Sequence, residues 1–137
     1  HRIFIWREGL KIIAEHPVVG VGNGAGEFEL NERLKGVDAT FYRGKEPYKL
    51  DEFFYDFHSI WMQSWAEGGI VAVLLLASIF LWGLLKSEGV LRYIWLLVML
   101  SGTTESLLDK QAGALLLTFM VGLTALQSLK EKREPQS

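Results

Sequence analysis

With 137 residues, half of them hydrophobic, the chain can make one modest domain, and a formal net charge of −2 gives it no general attraction for nucleic acid. It has no cysteine, which excludes structural disulfides and thiol catalysis, and none of its three histidines falls in an HExxH or similar pairing, so no metal site is expected. Residues 1–58 hold eight Lys/Arg and ten Asp/Glu, residues 59–137 only six of each, so a wet segment precedes a lipid-like one.

The chain opens on His1-Arg2 without a signal-peptide pattern and reads as the C-terminal piece of a longer membrane protein. Ile3, Trp6, Leu10 and Ile13 recur at helical spacing, and Pro17 disfavours helix at His16. The spacing predicts an amphipathic helix over about residues 2–15. A loop follows, with Gly20, Gly22, Gly24 and Gly26. Gly20, Gly22 and Ala25 formally fit a dinucleotide-binding pattern, but Val18-Val19 is a poor strand and no helix-forming run is evident directly after the glycines.

Residues 29–57 mix charges with Phe41, Tyr42, Tyr48, Phe53, Phe54, Tyr55 and Phe57. Such rings stack on sugars or sit at lipid headgroups, and Gly44 and Pro47 argue against one uninterrupted helix. After His58 come three apolar runs, at about 60–85, 93–108 and 111–129, the second with the polar end Ser101-Gly102-Thr103-Thr104-Glu105 that suits a tilted or re-entrant helix. Lys86, Arg92, Lys130, Lys132 and Arg133 fall on one side of these runs, against Lys110 on the other. The positive-inside rule then puts the tail 130–137 in the cytoplasm and residues 1–58 outside it.

The fold expected is thus all-α and membrane-integral: three C-terminal spans within 59–129, preceded by a large external loop segment, 1–58, with its amphipathic helix and Gly-rich loop. His58 is the candidate proton acceptor, since an imidazole switches protonation near neutral pH. Arg2 and Arg7 are candidates to hold phosphate oxygens, or else interfacial residues flanking Trp6. Glu67 flanks an uncharged span, where a carboxylate is costly unless paired or reached by water. If one helix carried both, Glu67 and His58 would lie on opposite faces, with Trp61, Met62 and Trp65 sharing the His58 face. Glu105 falls on the same external side as His58 and either positions a cation or substrate or ends a helix.

Arg2-Ile-Phe-Ile-Trp6, His16-Pro-Val-Val-Gly20-Val-Gly22, His58-Ser59 with Gly69, and Thr104-Glu105-Ser106-Leu107 occur in an order that resembles the C-terminal half of the bacterial O-antigen ligase and O-antigen polymerase family. Ala72 stands where a second glycine is often found. The resemblance implies a multi-spanning inner-membrane glycosyltransferase that works on the periplasmic side without a cofactor. Its expected partners are an undecaprenyl-diphosphate-linked glycan, a lipid A-core or glycan acceptor, and membrane lipids. It also implies that Arg2 engages the diphosphate and that His58 acts on the acceptor hydroxyl; Arg7, Glu67 and Glu105 are the substrate-binding candidates by their own chemistry and placement. The alternatives are a polymerase of the same family or a non-catalytic transporter or scaffold segment. A soluble helical domain would have to bury three apolar runs against little else.

Overall fold

The computed structural model describes residues 2–37, 40–43, 45–106 and 111–133. Its elements are α1 (Arg2–Glu15), α2 (Ala25–Leu34), β1 (Thr40–Arg43), β2 (Glu46–Lys49), a 3-10 turn (Leu50–Glu52), α3 (Ile60–Lys86), α4 (Gly89–Ser101) and α5 (Gln111–Arg133). They gather around two cores. Ile5, Ile12, Leu30, Leu34, Leu50, Phe57 and Ala66 make a head, whereas Ile60, Leu76, Phe80, Leu91, Trp95 and Met120 join α3, α4 and α5. Helix α3 contributes to both and is the spine of the molecule.

The bounds of α1 match its periodicity, but the buried face differs from the expected one. Ile5, Glu8, Gly9, Ile12 and Ile13 are buried, while Ile3 and Leu10 are 81% and 58% exposed. Gly9 explains the choice: a Cβ there would stand 2.9 Å from the Met62 side chain and 3.1 Å from the Phe57 ring, so the missing side chain lets α1 approach closely. Helix α2 begins directly after Gly24, correcting the expectation that no helix follows the glycines. Residues 17–19 before them form a turn and not a strand, so the dinucleotide pattern still lacks half its context.

The all-α expectation is amended by a small antiparallel hairpin whose register runs from Thr40↔Lys49 to Arg43↔Glu46. Its rings join a chain of contacts, Phe4–Phe41 at 5.4 Å, Phe41–Tyr48 at 5.8 Å and Tyr48–Phe53 at 5.7 Å between centroids. Most of the aromatic set is therefore structural, leaving Tyr42 and Phe54 outward-facing, about 70% exposed.

Helices α3 and α5 are long and apolar enough to cross a membrane. Helix α4 departs from the expected 93–108: it starts at Gly89 and stops at Ser101, 13 residues and about 20 Å, short of the ~30 Å hydrocarbon layer. The Thr103 and Thr104 hydroxyls donate to the Leu100 and Ser101 carbonyls, turning the chain out of the helix. Residues 107–110, including Lys110, and the tail 134–137 lie outside the described residues. Helix α5 continues past residue 129 to Arg133. Trp95 locks the bundle: it lies against Gly83, meets Phe80 edge-on at 5.8 Å, and donates its indole N–H to Thr124 Oγ1 at 2.9 Å.

Head and bundle are joined by a backbone exchange at a break in α3. Gly69 adopts φ 66, ψ −165, so the regular ladder stops there. The Ala66 and Glu67 carbonyls instead accept the N–H groups of Val21 (2.8 Å) and Gly22 (2.9 Å), and Ile70 N–H donates to Pro17 O at 3.0 Å. Groups that the break would orphan inside the protein are thereby satisfied by the Gly-rich loop. A Cβ on Gly20 would stand 2.4 Å from Glu67 O, and one on Gly69 would stand 2.0 Å from Val18 O. Gly20 and Gly69 thus share one structural purpose, the close approach of the loop to α3.

Candidate functional site

Three segments meet where the head joins the bundle. Trp6, one turn after Arg2, donates its indole N–H to Phe57 O at 3.0 Å; Ile60 N–H donates to Gly102 O at 2.9 Å; Arg2 Nη2 reaches Glu105 Oε1 at 3.3 Å. The start of α1, the corner 57–60 and the turn 102–105 therefore carry Arg2, His58 and Glu105 to one junction.

His58 does not belong to α3. It holds φ 49, the only positive φ at a non-glycine among the described residues, a conformation that costs about 1–2 kcal/mol and that functional sites often retain. Asp56 Oδ1 secures this turn twice, accepting from the His58 backbone N–H at 2.8 Å and from Nδ1 at 2.9 Å. An Nδ1–H donor leaves the lone pair on Nε2, the arrangement a base needs. Asp56 was not singled out from sequence, where it is one more acidic residue of a polar stretch. Ser59 caps α3, its hydroxyl accepting from Met62 N–H at 3.4 Å.

The segment leading to His58 is held by Asn31, whose amide donates to Glu27 O and Tyr55 O and accepts from Tyr55 N–H, all within 2.8 Å. Because His58 precedes the helix, the expected shared face with Trp61, Met62 and Trp65 does not exist. Trp61 packs toward Phe80, Met62 enters the head core, and Trp65 donates to Pro17 O at 3.1 Å.

Arg7 is not brought to Arg2. Its guanidinium lies 5.0 Å over the Phe4 ring, bonds Glu8 at 3.0 Å, and lines a separate depression with Lys11 and Arg33. Burial would raise the Glu8 carboxyl, but the hydrogen bonds and charges of Lys11 and Arg7 outweigh it and hold it below the ordinary range. Glu15 is also lowered, first by its hydrogen bond to Arg33, whose own pKa is raised by Glu15 and Glu29. Glu15, His16 and Glu29 bring ligand atoms within 4.8 Å of one another, a grouping that sequence spacing does not reveal, but Arg33 already engages both carboxylates.

Glu67 lines a cleft of about 250 Å³ with Asn23, Gly24, Glu27, Ile60, Gln63 and Ser64. The cleft supplies the polar surroundings that a carboxylate at the end of an apolar span requires.

A protein-family model described as O-antigen ligase matches residues 1–77, more than half of the chain and inclusive of Arg2, the 16–22 motif, His58 and Gly69. No curated protein and no solved structure matches the chain.

Proposed function

The chain belongs to the O-antigen ligase family, and from that premise we propose that it forms the periplasmic active-site region of an inner-membrane glycosyltransferase. The family is enzymatic, and membership together with two apolar helices points to a membrane protein acting on a lipid-linked glycan and an acceptor. The finer assignment is transfer of a glycan from undecaprenyl diphosphate to an acceptor hydroxyl, lipid A-core in a ligase or another repeat unit in a polymerase. In this scheme residues 1–58 form a periplasmic segment, the three helices pack in the membrane, and residues 130–137 face the cytoplasm.

The observation that carries the proposal is that the Trp6–Phe57 and Ile60–Gly102 bonds bring together the segments that bear the Asp56–His58 and Arg2–Glu105 pairs. As the acceptor oxygen forms its bond to the anomeric carbon, the bond from that carbon to the diphosphate oxygen breaks. The acceptor proton passes to His58 Nε2, and undecaprenyl diphosphate departs as an anion stabilised by Arg2. The Arg2–Glu105 pair is about half exposed on both sides, and such a pair is worth only about 0–1 kcal/mol. A diphosphate, offering several charged oxygens to the guanidinium, can therefore displace Glu105 at little cost. Positioning and charge neutralisation then supply most of the catalysis.

The surface polysaccharide of a strain lacking the full-length gene tests the proposal. Loss of all lipid-A-linked long chains is the ligase outcome and retention of a single added repeat the polymerase outcome. An unchanged pattern would contradict both.

A further inference from the structure

We infer that the cleft between the Gly-rich loop and the first turns of α3 is a sugar subsite, holding one pyranose ring of the transferred glycan or its acceptor. This inference rests on the glycosyl-transfer function proposed above. Ile60, Gln63, Ser64 and Glu67 fall at i, i+3, i+4 and i+7, one face of α3, and Asn23, Gly24 and Glu27 close the opposite wall. The face begins two residues beyond His58, at the same end of α3.

The lining has the mixed chemistry that a polyol demands. Each sugar hydroxyl both donates and accepts; Glu27 and Glu67 are acceptors, while Asn23, Gln63 and Ser64 do both. Gln63 Nε2 donates to Glu27 Oε1 at 3.4 Å, a long contact that ties the two walls together. Gly24, the residue before α2, lines the cleft and has no side chain to obstruct it. The volume, about 250 Å³, lies below the ~300 Å³ where drug-sized pockets begin, which suits a single ring and excludes the lipid chain. Among the described residues that line it, Ile60 is the one apolar side chain, so a purely hydrocarbon ligand would desolvate the polar wall without compensation.

The walls are held by the backbone exchange at Gly69, because the Val21 and Gly22 bonds to α3 fix the loop that bears Asn23 and Gly24. A subsite on rigid backbone can select one sugar over its epimers, since a misplaced hydroxyl leaves a carboxylate or amide unpaired.

The test uses the full-length protein in membranes, with the lipid-linked glycan extracted from the producing cells as donor and its native acceptor. Glu27→Gln and Gln63→Ala are expected to raise KM for donor or acceptor by about tenfold, with kcat changed by less than about threefold. A component monosaccharide of the glycan should inhibit the wild type, and these variants should be less sensitive to it. Unchanged KM in both variants at normal protein levels overturns the subsite, as does a KM that depends on added divalent cation and is lost on chelation. His58→Ala and Arg2→Ala are assayed in parallel: if these retain transfer, the catalytic assignment itself fails, whereas their inactivity alongside unaffected Glu27 and Gln63 variants removes the subsite only.

Discussion

His58 sits in a backbone conformation that a non-glycine residue adopts only when its surroundings insist. Asp56 does the insisting, through both the main chain and the ring, and so acts as a positioning residue. Asp56→Asn should therefore lower kcat for transfer by about tenfold and alter the pH–rate profile, while leaving membrane insertion and protein level unchanged. A purely structural aspartate would instead reduce protein level without reshaping the profile. Sequence singled out His58 and Arg2 as candidates by residue chemistry and by resemblance. It did not reveal Asp56, because an aspartate in a polar loop carries no periodic signal, nor the buried face of α1, which depends on the missing side chain of Gly9 and not on hydrophobicity alone.

Among the elements, α1, α3 and α5 were legible because periodicity and run length are strong local signals, whereas α4 was misjudged in its bounds. Helix α2 was not: Gly26 and Asn31 are poor helix formers, and the segment is helical because Leu30 and Leu34 are buried and Asn31 bonds across to Tyr55. The break in α3 was invisible for a similar reason, since its orphaned groups are satisfied by residues some 45 positions away. Gly69→Ala and Gly20→Ala should each destabilise the full-length protein, the positive φ alone costing about 1–2 kcal/mol before the clash. In detergent their thermal midpoints should fall by about 5 °C or more; unaltered midpoints would mean that the exchange does not hold the head to the bundle. The head should also respond to acid. Glu8 and Glu15 ionise below the ordinary glutamate range when folded, so the unfolded chain takes up protons first. Their contribution is complete above about pH 4.3 and is lost as pH falls through the lowered folded values. The pH at which the head unfolds should shift upward in Lys11→Met, which removes the principal partner of Glu8.

For the molecule as a whole, the proposed orientation rests on the placement of cationic residues. Lys86, Arg92 and Lys130 gather at one end, where Glu88 N–H also meets Gln127 of α5 at 3.4 Å, and the head lies at the other end of α3. A cysteine introduced at Ser128 should be protected from a membrane-impermeant thiol reagent in intact spheroplasts, and one at Glu46 labelled; the reverse pattern would invert the proposed topology. The central claim remains that His58 and Arg2 act together at the junction of head and bundle. Its most direct measurement is glycan transfer by full-length His58→Ala and Arg2→Ala proteins, matched to wild type in membrane insertion and thermal midpoint. Each variant is expected to lose about a hundredfold or more in kcat/KM, whereas transfer at the wild-type rate by either well-folded variant would contradict a joint role for His58 and Arg2.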